Sequence, residues 1–534
     1  PVAEARDKLT SYLIDCGKGD IFHEFSESPV VCRCGARCVI KILKDQWFLS
    51  YDKKQWKEKV HRCLDGMEII PDELRQNFSY VIDWLNEWAC TRRVGLGTKL
   101  PWDKNWIIEP LSDSTIYMSY YTISGYLKEI KPEKLGDEFF NYVFLGEGNT
   151  ESVAEKAGIS GKKLDEIRQE FSYWYPLDWR LSAKDLVGNH LTFHLFHHTA
   201  IFPEDKWPKG IVVFGMGLLE GQKMSSSKGN IILLEEAIEK YGSDAVRLFL
   251  MSNAEPWQDF DWRENQVKNT LRKLKQFYDQ VNYAITPGDA IPVRDIDRWL
   301  MCRFNMAVLD TREAMDGFQT RKALQHAFYG VLNDFTWYFR RCKPNAEVLR
   351  KVAGRWVKLM SPFTPFICEE LGDSLGEKDF VSLSAYPDAQ EEDIDEEVIQ
   401  KEELIKTLMD DIQNIREATK VKPEKIYLYI APQWKRKLLK AISKGEGKAD
   451  IMGDPEFRKH GGEVIKIIQN TRRDEVPGII CDMDEESRTI GDARDFLEKE
   501  FNAEISVQTE PSYDPKGKAK YALPMKPGIY IEGL

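Results

Sequence analysis

The stretch from Ile211 to Met251 constrains the fold more than any other. It opens on the apolar run IVVFG at 211–215 and passes through GQKMSSSKGN at 221–230. It ends in LLEEAIEKYGSDAVRLFLM, apolar at helical spacing with a break at Gly242. A short apolar run bounded by glycine reads as a buried strand, and strand, loop, helix in that order is the grammar of an α/β layer. The phosphate loop GxxxxGK[ST] is absent, and Gly215, Gly217 and Gly221 do not make GxGxxG. What remains is a hinged loop carrying two point charges, Lys223 and Lys228, around the small donors Ser225, Ser226 and Ser227. Lysine is a compact charge with three donors on a flexible stem. Such a loop can close on a triphosphate as charge moves onto the leaving pyrophosphate.

At 534 residues the chain is too long for a single core, so several domains are expected. No apolar run of roughly eighteen residues occurs, which excludes a helical membrane span as an expectation. The opening PVAEARDKLT has neither a signal-peptide pattern nor an initiator Met, as in a piece of a longer or processed chain. Ten scattered cysteines do not form a secreted disulfide framework, and a cytoplasmic setting is expected. A net charge of −12 argues against a wholly basic nucleic-acid coat protein while leaving room for local basic patches.

The pattern divides the chain into four segments. Residues 1–66 open on a helix-like stretch and continue as short strands in VVCRCGARCVIKILKDQWFLSY. The turn inside it holds Cys32, Cys34 and Cys38 without a clear second ligand pair, although His61 and Cys63 are near in sequence. A zinc knuckle and ordinary free thiols both stand, and no metal site is assigned. Residues 67–262 alternate helix and strand, with SYVIDWLNEWAC helical in spacing. Residues 263–400 are helical only, with stripes Val267, Leu271, Leu274, Tyr278, Val281 and Leu324, Phe328, Val331, Phe335, Tyr338, which predicts a bundle. The acidic connector PDAQEEDIDEE precedes residues 401–534. These hold a helix with Leu404, Leu408, Ile412 and Ile415 on one face, the strand KIYLYIAP, the basic helix QWKRKLLKAI, and a tail with a short strand.

The loop KMSSSKGN resembles the lysine-rich signature of class I aminoacyl-tRNA synthetases. The helix after it and SPFTPFICEEL at 361–371 look like the same family. WACTRRVGLGTKLPWD (88–103), DWRLSAKDLVGNHLTFHLFHHTAIF (178–202) and YALPMKPGIYIE narrow the resemblance to leucyl-tRNA synthetases of the archaeal and eukaryotic type, over nearly the whole chain. The resemblance implies ATP-dependent activation of leucine, with ATP and Mg2+ as cofactors, and transfer of the leucyl group to tRNA(Leu). It assigns Lys223, Lys228 and the three serines to the triphosphate, Asp185 to the ATP ribose, His190 to the adenylate and Met216 to the adenine pocket. Ala183 stands where the family usually has glycine. His194 and His198 have metal-like spacing, but Leu195 replaces the glutamate of a metalloprotease helix. With His197 they are read as packing or surface residues.

The implied architecture is α/β. A return from an editing insertion (1–66) precedes the second half of a class I Rossmann-like catalytic domain (67–262). A helical anticodon-binding domain (263–400) and a C-terminal tRNA-binding domain (401–534) complete the chain. In the last, Lys435, Arg436, Lys437 and Lys440 are expected to supply phosphate contacts. The HIGH-motif half of the family is absent from this sequence and is expected as a partner. A class I synthetase for isoleucine, valine or methionine shares the loop and bundle. A non-catalytic tRNA-binding protein on the same fold has no evident need for both lysines.

Overall fold

The apolar run at 211–215 is the middle strand of a parallel sheet. The computed structural model describes residues 2–533 except Ser28, Arg33, Ser226, Ser227, Lys228, Asp289, Ala290, Asp474, Glu475 and Pro477. It divides into two units, Pro1–Ile232 with Pro256–Trp262, and Leu233–Glu255 with Arg263–Leu534.

In the first unit, the described residues of helix α1 (Val2–Asp15) and of the stretch up to Trp47 contribute nothing to the buried core. Among the described residues, the strand-like composition of this segment yields a bridge between Val31 and Arg37 and one strand, Phe48–Ser50, paired with Glu87–Ala89. Val39 is 81% exposed. A β-branched side chain favours a strand only where a pleated surface receives it. The core itself runs from Tyr51 to Val213 and takes in Val60, Cys63 and Leu64 of α2 (Lys54–Asp65), so packing is continuous across residue 66. The helical reading of SYVIDWLNEWAC holds only to Trp84, where the helix gives way to the strand at Glu87.

Strands β1 (Glu68–Ile70), β2 (Arg180–Ala183) and β3 (Gly210–Phe214) form a parallel sheet in the order β1–β3–β2. Helix α3 (Tyr117–Leu127) lies between β1 and β2 in the chain, and α4 (Thr192–Ile201) carries the chain from β2 to β3. Ile211, Val212 and Val213 are fully buried, as a parallel strand covered on both faces requires. Residues 210–219 hold two strands. After β3 the chain breaks at Gly215 and Met216, then starts β4 (Gly217–Leu219), which joins β5 (Gln222–Lys223) and β6 (Phe260–Trp262) in a second small sheet.

The second unit is helical and ends in an α/β layer. It includes α5 (Leu234–Tyr241) and α6 (Ser243–Asn253), separated by Gly242, and then α7 (Glu264–Ile285), α8 (Asp295–Asp316), α9 (Val331–Arg341), α10 (Ala346–Met360) and α11 (Pro365–Leu375). The stripe from Leu324 to Tyr338 is buried throughout. The stripe on α7 is not the expected one: Leu271 is exposed, and Thr270 and Phe277 are buried with Val267, Leu274 and Val281. A straight helix keeps one face at alternating spacings of three and four, so a residue one position off that series turns about 100° away.

Helix α12 (Glu396–Thr419) buries Leu404, Leu408 and Ile412 against β7 (Pro423–Tyr429), which lies between parallel β8 (Glu504–Gln508) and antiparallel β9 (Gly528–Gly533). The basic helix α13 (Gln433–Ser443) corrects the reading of its charges. Lys435 is buried and donates to the carbonyls of Lys520 (2.6 Å) and Ala522 (3.0 Å). Arg436, also buried, pairs with Glu486 and donates to the carbonyl of Cys481 (2.9 Å). Lys437 pairs with Glu456, and Lys440 alone of the four is exposed without an ion-pair partner among the described residues. A helix packed on two sides spends its cations on satisfying carbonyls and a buried carboxylate.

Candidate active site

Strands β2 and β3 run parallel with Ala183 opposite Phe214, so the chain leaves the sheet along one edge after both strands. Ligands of open α/β sheets collect outside the carboxyl ends of the strands. Past β2 come Lys184 and Asp185, in the turn Lys184–Leu186; past β3 come Gly215 and Met216. Asp259 ties the two exits together. It accepts from Lys184 Nζ (2.5 Å) and from the Met216 amide (2.7 Å), and the lysine, then the amide, hold its carboxyl below the usual range. The Gly215 amide donates to the Pro256 carbonyl (2.9 Å). A Cβ at Gly215 would stand 2.1 Å from the Gln258 carbonyl oxygen, so only glycine lets the two segments meet. Asp185 is exposed on this edge, and its carboxylate makes no ion pair among the described residues.

The lysine loop leaves the same edge through β4. Leu218 pairs with Lys223 and Leu219 with Gln222, leaving a two-residue turn of Glu220 (φ 48°) and Gly221 (φ 78°). Two positive φ values are those of the type I′ turn, whose twist suits a hairpin. The Gly221 amide donates to Asp261 (2.9 Å). Beyond β5 the backbones of Ser225 and Asn230 exchange hydrogen bonds of 2.9 and 3.2 Å, and the Asn230 side chain donates to the Lys223 carbonyl (3.2 Å). The loop is thus pinned at both ends. Lys223 is exposed on its near arm; Ser226, Ser227 and Lys228 lie outside the described residues.

His190 sits in a wide π-turn, Val187–Leu191, closed by the Thr192 hydroxyl on the Val187 carbonyl (2.7 Å). Its Nε2 accepts from Arg180 Nη2 (3.0 Å) and its Nδ1 lies 3.3 Å from Ser114 Oγ. Burial and the charge of Arg180 push its pKa down. Arg180 also donates to Tyr117 OH (3.0 Å), and its guanidinium has no carboxylate partner among the described residues. The remaining three histidines are packing residues of α4. His194 Nδ1 bonds the Thr115 carbonyl (2.9 Å) and His198 Nδ1 the His194 carbonyl (2.8 Å). His197 lies between Thr115 Oγ1 (2.6 Å) and Tyr51 OH (2.9 Å). Burial lowers His197 and His198 to about 4 and His194 well below its ordinary value, so all three are neutral at pH 7.

Six buried side-chain polar atoms among the described residues lack a hydrogen-bond partner. Three of them, Ser112 Oγ, Arg180 Nε and His194 Nε2, belong to this neighbourhood. Unmet buried polar groups ask for an explanation, and a polar ligand is one. Arg180, Ser114, Tyr117 and Asp259 were not singled out from sequence. Asp259 meets Met216 from 43 residues away, and no local pattern signals such a pair. Among the described residues no group of three or more His, Cys, Asp or Glu is placed to hold a metal ion.

Residues 24–277 match the family model described as tRNA synthetases class I (M), and residues 297–428 match the anticodon-binding domain of tRNA ligase. The chain is 46% identical to leucine–tRNA ligase of Methanothermobacter thermautotrophicus, covering 99% of this chain and 57% of that protein. It is also 46% identical to leucine–tRNA ligase of Methanopyrus kandleri, covering 100% and 57%. A solved LeuRS–tRNA–LeuAMS ternary complex of Agrobacterium radiobacter K84 is similar at 18% identity and a TM-score of 0.41, over 56% of this chain and 36% of that one. The chain thus spans 57% of the length of these curated relatives. With a class I tRNA synthetase model and a tRNA ligase anticodon-binding model along it, and this identity sustained from end to end, the chain belongs to the leucine–tRNA ligase family.

Proposed function

We propose that this chain supplies part of the machinery that activates leucine with ATP and charges tRNA(Leu), acting with the remaining portion of the family's chain. The observation that carries the reading is the convergence of Asp185, Met216 and the pinned lysine loop on the carboxyl edge of one parallel sheet. In this reading a leucine carboxylate oxygen attacks the α-phosphorus of ATP, the bond to pyrophosphate breaks, and negative charge grows on the leaving group. Lys223 and Lys228, with the hydroxyls of Ser225, Ser226 and Ser227, stabilise that charge by closing on the triphosphate. Asp185 accepts from the ribose hydroxyls, the backbone at Met216 borders the adenine, and neutral His190, held by Arg180, faces the adenylate. The terminal ribose hydroxyl of tRNA(Leu) then attacks the leucyl carbonyl and AMP leaves. Mg2+ would be bound mainly by substrate phosphates, with at most a carboxylate or two from protein. A cytoplasmic location goes with this activity.

The test is leucine-dependent ATP–pyrophosphate exchange by the complete enzyme. Lys228→Ala should slow it by about 100-fold or more, roughly 2.7 kcal/mol of transition-state stabilisation, with leucine binding little changed. Exchange within a few-fold of the parent would remove Lys228 from the triphosphate. The chain alone should form no leucyl-adenylate.

A further inference from the structure

One buried tyrosine of the first unit has no part in the reading above. Tyr51 is fully buried, stacked on Phe193 at 5.0 Å and packed against Trp56 (5.4 Å) and Phe196 (4.7 Å), so its ring is held from three sides. Its hydroxyl meets His197 Nε2 at 2.9 Å, across 146 residues of chain. His197 Nδ1 lies 2.6 Å from Thr115 Oγ1, and that hydroxyl lies 2.8 Å from the Ser112 carbonyl. The last link fixes where the protons sit. A carbonyl only accepts, so the Thr115 hydroxyl donates to Ser112 and accepts from His197. Burial keeps His197 neutral, its pKa pushed down to about 4, so its single proton is on Nδ1 and its Nε2 accepts from Tyr51. The result is a one-way series of three hydrogen bonds, from Tyr51 through His197 and Thr115 to Ser112, in which each bond strengthens the next.

Thr115 is the hub of the stretch 112–117. Its carbonyl accepts from His194 Nδ1 (2.9 Å), so two histidines of α4 grip it, one by the hydroxyl and one by the carbonyl. Its neighbours reach into the site. Arg180 donates to Tyr117 OH (3.0 Å) and to His190 Nε2 (3.0 Å), which leaves the His190 proton on Nδ1 to be accepted by Ser114 Oγ (3.3 Å). We infer that Tyr51 and His197 are positioning residues for leucine activation: through Thr115 they hold Ser114 and Tyr117 in register with His190 and Arg180. The inference rests on the reading that His190 faces the adenylate. Tyr51 acts only through this series, and its leverage comes from precision, since a displacement of about 1 Å far from the chemistry can cost roughly 100-fold in rate.

The complete enzyme is assayed by leucine-dependent ATP–pyrophosphate exchange. Tyr51→Phe and Thr115→Val each remove one hydroxyl and little volume. Each should lower kcat by about tenfold while the KM for ATP stays within about twofold. Thr115→Ser keeps the hydroxyl and loses the methyl, so it should retain most of the rate; a role in packing alone would reverse that order. Tyr175→Phe is the control, because its hydroxyl meets His198 (3.2 Å) on the same helix rather than the stretch 112–117, and its kcat should stay within about twofold of the parent. In long-range proton–nitrogen spectra of the isotope-labelled full chain at pH 7, His197, identified by the signal lost in His197→Gln, should carry its proton on Nδ1. Tyr51→Phe and Thr115→Val at the parent's kcat overturn the assignment and leave the activation reading intact. Equal losses in Thr115→Ser and Thr115→Val, or in Tyr175→Phe and Tyr51→Phe, overturn it as well, as does a His197 proton on Nε2. A parent enzyme without leucine-dependent exchange removes the activation reading and this assignment with it. Should Thr115→Val fail to fold, judged by its thermal midpoint, Tyr51→Phe decides.

Discussion

Single residues decide how the sheet edge is built. Gly215 is the clearest, because its missing side chain lets the Gln258 carbonyl approach where a Cβ would clash. Gly215→Ala should displace the segment that carries Asp259 and lower stability by about 2–3 kcal/mol. Gly221→Ala, which meets no atom within 4 Å, should cost about 1 kcal/mol through its positive φ alone. Thermal unfolding of both variants checks the order. The place of Lys223 just past a buried strand was legible from sequence, because an apolar run bounded by glycine ahead of a lysine–serine string fixes it there. Asp185 was legible only through resemblance. Lys184 and Asp259 were not, since their pairing depends on how two distant segments leave two sheets.

Whole elements show where pattern reading succeeds and where it fails. The strand at 211–213 was readable because burial on both faces leaves no alternation to confuse it. The stripe on α7 slipped by one position at Leu271 and Tyr278, because several apolar series fit the same helix until a partner selects one. Helix α13 misled through composition: a run of lysine and arginine reads as solvated, yet two of the four side chains are buried. Removing one member of its ion pair strands the other. Arg436→Met should cost about 3–5 kcal/mol, and adding Glu486→Gln should recover much of it, whereas Lys440→Ala should change stability by less than about 0.5 kcal/mol. Helix α4 makes a pH prediction. Histidines that stay neutral in the fold bind fewer protons than when unfolded. Their contribution is therefore complete above the ordinary value of 6.5 and is lost as pH falls toward about 4, where His197 and His198 themselves protonate. His198→Gln should flatten the acid side of the stability profile by up to about 1.4 kcal/mol per pH unit, read from unfolding midpoints in denaturant between those limits.

At the scale of the molecule, the breaks in packing do not coincide with the breaks in sequence pattern. The first core crosses residue 66, and α5 and α6 pack with the helical unit although they come directly after the lysine loop. Fragments should obey the packing. Residues 233–534 should unfold in one cooperative transition, while 263–534, deprived of α5 and α6, should be less stable and bind hydrophobic dyes; urea melts of the two distinguish the cases. The bundle and the C-terminal layer are likewise joined rather than tethered. Glu402 of α12 accepts from Trp337 (2.8 Å) and Arg341 (3.0 Å) of α9, and Trp337 packs edge-on against Phe496 at 5.7 Å. A cut at residue 401 would fall inside α12 and take Glu402 and Phe496 away from Trp337. Unbroken from the bundle into the last core, α12 therefore acts as a phased shaft. Each residue inserted at its middle would turn the far domain by about 100° and push it about 1.5 Å along the axis. Single-residue insertions should thus be ruinous, and insertion of a whole turn milder, a periodicity that ordinary linkers do not have.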